Sequence, residues 1–305
     1  MELEHMKKIG LIGLDTSHVV AFTELLNDEN HAYHVKGGRV TVAWPGGSPD
    51  FPKSIERVPG FTATLRDKHG VAIVDSPEAV AEACDLVFIE SVDGRVHLEQ
   101  FKRTLPYRRP TFIDKPFALR ADEAREMVRL AGGAGIALMS GSSLRYAEQL
   151  QQALARGRDD IRGCNVFGPM QEEPTQPGLF WYGCHAIEMM VAAMGAGCRE
   201  VRCLCNAEHD LLTAVWKDGR MAGYHGLRQA HGRFGLVLHR RETVESIDCH
   251  AGRPYYVGLV TALLNHLPHN RAGVASEELV EVVALIEAAN RSRANGGAPV
   301  ALGGG

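Results

Sequence analysis

Two short segments of this chain carry side chains that can move a proton. Residues 114–116 (DKP) follow an apolar run typical of a buried strand, so Lys115 stands where a strand ends. The second segment, residues 181–188 (WYGCHAIE), has His185 and Glu188 three positions apart. On a helix this spacing separates two side chains by about 60° around the axis, so both lie on one side. An amine, an imidazole and a carboxylate are groups that general acid–base catalysis uses.

The surroundings of His185 allow two interpretations. An apolar stripe on the same predicted helix places the His185 side away from the core, where it can face an interdomain cleft; the stripe consists of Ile187, Met190, Val191 and Met194. Met189 lies near His185, however, and favours a helix that is buried all round. In that case His185 is a hydrogen-bonded core residue.

A third candidate site is the loop of residues 13–18 (GLDTSH), between a predicted strand and a predicted helix. Dinucleotide-binding loops have the pattern G-x-G-x-x-G, whose glycines let the backbone approach a pyrophosphate at the helix N-terminus. Gly13 matches the first glycine, whereas Asp15 replaces the second and His18 the third. A carboxylate is unfavourable beside a diphosphate unless Asp15 caps the helix and points away. From the loop alone, a turn that binds no nucleotide is an equal alternative.

Four segments together point to a family. They are residues 7–18 (KKIGLIGLDTSH), 91–97 (SVDGRVH), 114–116 (DKP) and 182–188 (YGCHAIE). In order and spacing they resemble the Gfo/Idh/MocA family, the glucose–fructose oxidoreductase and inositol 2-dehydrogenase type of NAD(P)-dependent enzymes, from about Lys7 to Leu302. The resemblance implies hydride transfer between nicotinamide and a secondary alcohol or ketone of a sugar, cyclitol or related polyol.

The resemblance also implies roles for individual residues. Lys115 matches the lysine of the family's Glu-Lys-Pro signature, which lies near the nicotinamide and assists proton movement; a surface lysine in a turn is the alternative. His97 matches the histidine of a segment that lines the cofactor, and an ordinary histidine at a helix start is equally open. The implied cofactor-binding residues are Gly13, Asp15, Thr16, Ser17, His18, Trp44, Ser48, Ser91, Val92, His97, Asp114 and Lys115.

The implied catalytic helix departs from the family at one position. The family's Asp-x-Gly-x-His-x-x-Asp element corresponds to residues 181–188, where Trp181 replaces the first aspartate and Glu188 the second. In related enzymes the first aspartate positions or polarises the histidine, and tryptophan cannot act as an acid or base. The acids that can substitute for it are Glu172, Glu173 and Glu188. The implied proton-transfer residues are Lys115 and His185, with Glu188 and Tyr182 in support.

The segment after the second predicted strand bears on the choice of cofactor. Enzymes that prefer NAD usually have an acidic residue there, which binds the ribose 2′-hydroxyl. Here no carboxylate occurs until Asp50, while Ser48, Lys53 and Arg57 are near enough in sequence to meet a 2′-phosphate. The sequence therefore slightly favours NADP and leaves NAD open.

Histidines and cysteines show no metal-binding pattern. The histidines considered, His225, His231, His239 and His250, have no compact ligand spacing, so we predict no metal site. The seven cysteines are scattered, which is typical of reduced thiols. Cys203 and Cys205 alternate along a predicted strand and therefore share one face of it.

The pattern of elements predicts two domains. In residues 6–143, strands alternate with helices, which predicts an α/β, Rossmann-type doubly wound parallel sheet. Ser76 and Pro77 mark one helix start. Residues 144–305 contain successive strands, with a hairpin signal at residues 218–219 (DG), and predict an α+β domain with an open, mostly antiparallel sheet. A final helix, residues 276–293, is a candidate to pack back on the first domain.

Composition and charge limit the kinds of binding partner that the sequence predicts. With 33 basic and 37 acidic side chains and no basic stripe, the chain is not expected to bind nucleic acid. It has neither an apolar stretch long enough for a membrane nor a signal pattern, so we expect a cytoplasmic protein; residues 1–5 are a candidate non-native leader. By analogy with related proteins, the open sheet implies a homodimer or homotetramer.

A second class of function stays open. Asp15, His18 and Trp181 alter both the implied cofactor loop and the implied catalytic helix. Such departures favour a protein that has the fold of the family but no net redox activity. It would be a sugar- or nucleotide-binding regulator, or a lyase or hydrolase with a tightly bound NAD.

Overall fold

The computed structural model describes residues 6–229 and 232–303, which form two compact units. Of these described residues, the first unit holds 6–118, 122–141 and 259–276. The second holds 119–121, 142–229, 232–258 and 277–303. The sequence predicts the domain boundary between residues 143 and 144, and the chain passes from the first unit to the second between residues 141 and 142. Residues 259–276, expected in the second domain, count with the first, and the last helix counts with the second from Glu277 onward.

Six parallel strands form the sheet of the first unit, in the order β3-β2-β1-β4-β5-β6. They are β1 (Lys7–Ile12), β2 (Gly38–Trp44), β3 (Ala72–Ile73), β4 (Leu86–Ile89), β5 (Thr111–Ile113) and β6 (Leu138–Ser140). Buried parallel strands read as continuous apolar runs, which is why β1 and β4 are evident in the sequence. The predicted doubly wound sheet is confirmed.

The helices of the first unit connect these strands. They are α1 (His18–Asn27), the short α2 (Pro52–Ile55) and α3 (Val58–Ala63), α4 (Pro77–Ala83), α5 (His97–Thr104) and α6 (Ala121–Ala134). The predicted start of α4 is confirmed, because Ser76 Oγ accepts a hydrogen bond from the backbone N–H of Ala79 at 3.1 Å. The chain returns to this unit within α9 (Tyr255–His266).

The strand order fixes where a ligand of the first unit would bind. Connections from β1 and from β4 run in opposite directions along the sheet, so a crevice opens at the carboxyl ends of these two neighbouring strands. The loops that follow β1, β2, β4 and β5 meet there. All of the predicted cofactor-binding residues lie in these loops or beside them.

The second unit contains a seven-stranded sheet in the order β12-β11-β7-β10-β9-β8-β13. Its strands are β7 (Ile161–Pro169), β8 (Cys198–Cys205), β9 (His209–Trp216), β10 (Met221–Leu227), β11 (Gly235–Arg240), β12 (Val244–Asp248) and β13 (Val300–Ala301). Among these strands β7 and β10 pair in parallel and the other neighbours are antiparallel, which confirms a mostly antiparallel sheet. Gly219, in the predicted hairpin, has a φ of 88°.

Helices α7 (Glu148–Leu154), α8 (Gly183–Met194) and α10 (Ser276–Ala294) complete the second unit. Helix α8 packs on β7 and β10, and every one of its residues except His185 is buried. The helix is therefore buried on all sides except at His185, which is partly exposed.

Two further features concern the described chain as a whole. None of the helices in residues 6–229 and 232–303 has the length and apolar character required to cross a membrane. The seven cysteines are free thiols, six of them buried and Cys205 exposed.

Candidate functional site

Gly13 ends β1 in a conformation that only glycine adopts readily. Its φ is 87°, and a Cβ at this position would lie 2.2 Å from Oγ of Ser91 and 2.7 Å from the Ser91 backbone. The Gly13 N–H donates to the carbonyl of Trp44 at 3.0 Å. The first glycine of the loop thus allows the loops after β1, β2 and β4 to pack together.

Asp15 connects three loops and does not cap the helix. Its fully buried carboxylate accepts hydrogen bonds from the backbone N–H of Val92 at 2.9 Å and from Oγ of Ser54 at 2.5 Å. Burial raises the pKa of Asp15, and these two hydrogen bonds oppose that shift. Asp15 therefore binds neighbouring loops, and the alternative in which it caps the helix is wrong.

His18 also points into the protein. Its Nδ1 lies 2.6 Å from Oδ2 of Asp114 after β5, and its ring stacks on Phe22 with centroids 5.3 Å apart. The hydroxyl of Thr16 accepts a long hydrogen bond of 3.5 Å from the His18 backbone N–H. Ser17, at the N-cap of α1, is the exposed residue of the loop.

These positions fit a dinucleotide at the N-terminus of α1. The strand order is that of dinucleotide-binding sheets, and Gly13 keeps its conformational role. The side chains that replace the other two glycines, Asp15 and His18, are buried and bound to protein groups. Ser17 and the first backbone amides of α1 can therefore meet a phosphate.

The loop after β4 is held by its own side chains. Ser91 Oγ and the Gln100 amide are hydrogen-bonded, with contacts of 2.9 and 3.0 Å. His97 is fully buried, with Nε2 2.7 Å from the Ser91 carbonyl and Nδ1 3.2 Å from the Phe117 carbonyl. Among the alternatives for His97, these contacts favour a residue that shapes the loop.

The loop after β2 is bound to the loop after β4. The hydroxyl of Ser48 donates to Oδ2 of Asp93 at 2.7 Å. Arg95 binds the same carboxylate and also binds Asp50 at 2.7 Å. Arg57 lies 3.4 Å from the Asp15 carbonyl. Trp44 is half-buried, with the Arg103 guanidinium 5.8 Å from its ring centroid.

A group of buried charges lies where β4 and β5 end. Glu90 is fully buried, and neither of its oxygens has a hydrogen-bond partner in the described part of the chain. Burial and the charge of Asp114 hold the pKa of Glu90 well above its usual range. For Asp114, burial is outweighed by His18 and by half-buried Lys115, so its pKa is lowered. Sequence reasoning missed Glu90, although its position directly after the apolar β4 run was a usable signal.

In the second unit, His185 is oriented by a hydroxyl group. Its Nδ1 lies 2.6 Å from Oγ of Ser142. The rings of Tyr182 and Phe234 pack edge-to-face on the imidazole, with centroids 5.8 and 5.5 Å away. Trp181 is buried against Tyr182. Ser142, which directly follows β6 and Gly141, was not identified from the sequence.

Glu188 belongs to a buried ion-pair network. It binds the guanidinium of Arg145, which also binds Glu278 at 2.8 Å. Burial raises the pKa of Glu188, while Arg145 and the backbone N–H of Ser142, which donates to this carboxylate, oppose the shift. Glu188 is therefore linked to His185 through Ser142 and does not replace the missing aspartate directly.

The other two acids considered for His185 have different contacts. Glu172 is bound by Arg228 and by Arg293 at 3.3 and 2.5 Å. Glu173 is buried and pairs with Gln176 in an isolated bridge. The contact at Nδ1 of His185 is thus made by Ser142, a residue type that the family comparison did not suggest.

Residues 53–142 match the oxidoreductase family Gfo/Idh/MocA, described by its NAD-binding Rossmann fold. The matched segment includes the ends of β4 and β5, with Ser91, His97 and Lys115. No protein among those with curated functions matches the chain.

Solved structures share the fold of both units. Apo scyllo-inositol dehydrogenase from Lactobacillus casei has a TM-score of 0.79 at 15% identity, over 98% of this chain and 99% of that one. Myo-inositol 2-dehydrogenase from Lactobacillus plantarum has a TM-score of 0.78 at 14% identity, over 98% and 100%. The L. casei scyllo-inositol enzyme with bound NAD(H) and scyllo-inositol has a TM-score of 0.77 at 15% identity, over 98% and 99%.

The histidines considered as metal ligands are dispersed. His209 and His225 lie 3.1 Å apart, His239 contacts Asn165, and His250 accepts a hydrogen bond from the Phe234 backbone. His231 lies outside the described residues. Within residues 6–229 and 232–303, the group of ligand atoms that could hold a metal ion is formed instead by His18, Glu90 and Asp114.

Proposed function

We propose that this chain is an NAD(H)-dependent oxidoreductase that transfers a hydride between nicotinamide and a secondary alcohol or ketone of a cyclitol or related polyol. The observation that carries the proposal is His185, the single accessible residue of an otherwise buried helix, with its ring held at Nδ1. The family match and the shared fold with inositol dehydrogenases support the same chemistry.

NAD is the better cofactor proposal than NADP. Ser48, Lys53 and Arg57 were expected to meet a 2′-phosphate. Of these, Ser48 and Arg57 are engaged in contacts between loops. Asp50, which is exposed beside them, binds Arg95, so this guanidinium is also engaged by protein groups. A structure with this fold, the L. casei scyllo-inositol dehydrogenase, binds NAD(H). When bound, the nicotinamide would accept or supply the hydride, and we assign its phosphates to Ser17 and the first amides of α1.

The proposed proton path begins at His185. Ser142 Oγ accepts a hydrogen bond from the backbone N–H of Leu144 at 3.1 Å, which fixes the hydroxyl against Nδ1 of the imidazole. We assign proton exchange with the substrate hydroxyl to Nε2. Tyr182 restricts the ring from one side. Glu188 acts as a positioning residue, because its carboxylate accepts the Ser142 backbone N–H.

Lys115 is the second proposed proton-transfer group. It lies at the carboxyl end of β5, the edge of the sheet at which dinucleotide-binding folds carry out their chemistry. The charges of Glu90 and Asp114 act on its ammonium group. Such an ammonium can donate a proton to a developing alkoxide, or return it during oxidation.

The first test is a titration with NADH and with NADPH, followed by energy transfer from tryptophan to the nicotinamide. We expect NADH to bind more tightly. NADH would then be used to screen cyclitol ketones, and NAD to screen cyclitols and polyols, with absorbance of NADH as the signal. If both cofactors fail to bind and the denatured protein releases none, the redox proposal is wrong.

Variants then test the residue assignments. His185→Asn is expected to lower kcat by roughly 10²- to 10⁴-fold and to remove one limb of the pH–rate profile. Ser142→Ala should lower kcat less and leave KM nearly unchanged, because the hydroxyl orients the imidazole without touching substrate. His239→Asn, on the sheet of the same unit, is the matched control. Unchanged turnover in both Lys115→Ala and His185→Asn would refute the assignment.

A protein without net redox activity is the second candidate. Two of the three loop glycines are replaced, by Asp15 and His18, and Trp181 replaces the aspartate of the catalytic element. A lyase or hydrolase with a tightly held NAD would form product while NADH absorbance stayed flat. A regulator would bind sugar or nucleotide with no turnover at all.

We further propose that the chain forms a homo-oligomer through the outward face of its second sheet. Large apolar side chains are exposed on four neighbouring strands and on the edge strand β12: Phe167, Leu204, Leu211, Met221 and Val244. Exposed apolar patches of this kind usually mark interaction surfaces. Sedimentation that gives only monomer at micromolar concentration would refute the proposal.

A further inference from the structure

Three metal-ligating side chains from different parts of the chain meet in the first unit. His18 begins α1, Glu90 follows β4 and Asp114 follows β5, and each offers one ligand atom. All three ligand atoms lie within 4.8 Å of one another, and all three residues are buried. Two ligand atoms of one ion lie at most about 4.4 Å apart, since each is about 2.0–2.2 Å from the ion, so the bound of 4.8 Å on these atoms is within a few tenths of an ångström of that limit.

The group contains polar atoms whose hydrogen-bonding capacity is unmet. Both carboxylate oxygens of Glu90 and Oδ1 of Asp114 are buried without a hydrogen-bond partner in residues 6–229 and 232–303. Buried carboxylates in native proteins are normally paired, hydrogen-bonded or bound to a metal ion. Three unsatisfied oxygens from two adjacent strand ends therefore point to a ligand that is a cation.

The surrounding charge favours the same conclusion. Asp15 and Asp114 are the acidic groups that act on Glu90, and Lys115 is the basic group that does. The basic groups near these three buried carboxyl groups are Lys115 and, beside Asp114, His18. A divalent ion would neutralise the remaining negative charge, and His18 would supply a neutral nitrogen ligand.

We propose that His18, Glu90 and Asp114 bind one divalent transition-metal ion. One imidazole and two carboxylates form a ligand set suited to Mn²⁺, Fe²⁺ or Zn²⁺, in contrast to the all-oxygen sets of Ca²⁺ and Mg²⁺. The ion takes over the present contact of 2.6 Å between His18 Nδ1 and Asp114. Metal binding at this group does not depend on the proposed redox function.

A proton is the competing occupant of the site. A protonated Glu90 would carry no charge, and its hydroxyl could donate to Asp114. The two occupants differ in what they predict for an isosteric amide. Glu90→Gln keeps the volume and a donor, so it preserves a proton-based arrangement but removes a metal ligand.

The test uses the full chain after removal of metal with a chelator. Mn²⁺ is titrated into the protein, and the electron paramagnetic resonance signal of free aqueous Mn²⁺ is followed, with Zn²⁺ as a competitor. We expect one equivalent to bind, and at least about tenfold weaker binding in both Glu90→Gln and Asp114→Asn. His225→Gln is the matched control, since His225 and His209 are exposed neighbours able to bind a metal adventitiously.

Three results would overturn the proposal. They are no Mn²⁺ or Zn²⁺ binding by the unaltered protein, equal binding by Glu90→Gln and Asp114→Asn, and loss of binding in His225→Gln alone. A thermal melting curve of metal-free Glu90→Gln tests whether this variant is folded. We expect its melting temperature to be at least as high as that of the metal-free unaltered protein, because a neutral amide is easier to bury than a carboxylate. Should that variant fail to fold, Asp114→Asn decides. NADH binding is measured separately, so failure of the metal site and failure of the redox function are distinguishable.

Discussion

Removal of Arg145 should destabilise the second unit strongly at neutral pH. The side chains of Arg145 and Glu188 are each 5% exposed, and that of Glu278 is 9% exposed. In Arg145→Met, Glu278 retains Arg158 at 2.6 Å, whereas Glu188 loses the guanidinium that neutralises it. A buried carboxylate stripped of its partner costs about 3–5 kcal/mol, which is the loss of unfolding free energy that we expect.

The loss of unfolding free energy in Arg145→Met should become smaller at lower pH. Burial already holds the pKa of Glu188 above its ordinary value in the folded protein, and Arg145 opposes that shift. A carboxyl group whose pKa is raised by folding binds more protons in the folded state, so stability falls as pH rises from the ordinary to the raised pKa. Without Arg145 the folded-state pKa rises further and this window widens. The loss of unfolding free energy caused by Arg145→Met should therefore be smaller near about pH 5 than near about pH 7.

Urea unfolding followed by tryptophan fluorescence measures the effect. Trp181 and Trp216 are buried in the second unit, so a Trp44→Phe background confines the signal to that unit. The double variant Arg145→Met with Glu188→Met should recover most of the loss, because both charges are then absent. A deficit below about 1 kcal/mol at neutral pH, or one that does not change with pH, would refute the reasoning.

Three further predictions follow from local geometry. Ser76→Ala should cost about 1 kcal/mol of unfolding free energy because the Ala79 N–H loses its cap, and Ser76→Asp, which keeps an acceptor, should cost less in the same urea titration. Gly13→Ala should cost more than about 1 kcal/mol, since its Cβ would meet Ser91 at a positive φ; a melting curve like that of the unaltered protein would contradict this. A thiol reagent should label Cys205 alone in the folded protein, because the other six cysteines are buried. Labelling of any other cysteine, detected by mass spectrometry, would contradict this prediction.

The first sheet could be predicted largely from sequence because its signals are local. Strand β2 (Gly38–Trp44) is evident as an apolar run, because a buried parallel strand has apolar residues on both faces. The cap at Ser76 and the turn at Gly219 depend on a few neighbouring residues. Strand β7 was missed, because Gly163 and Asn165 interrupt its apolar pattern. Gly163 is required by packing, since a Cβ there would lie 2.5 Å from the Met221 carbonyl.

The candidate sites divide in the same way. Sequence by itself placed the candidates Lys115 and His185 at a strand end and on a helix, because residue type and spacing are local properties, and the family resemblance implied their roles. It did not determine where side chains point. The spacing of Glu188 from His185 suggested a direct partnership, yet Glu188 binds Arg145, 43 residues away in sequence.

The buried group of His18, Glu90 and Asp114 depends entirely on tertiary structure. Nothing in the sequence links residues 18, 90 and 114, because no periodicity extends over such separations. The strand order places β4 between β1 and β5, and this brings the three residues that follow these strands within reach of one another. Sequence determined which chemical groups stand at the strand ends, and the order of the strands decided which of those groups meet.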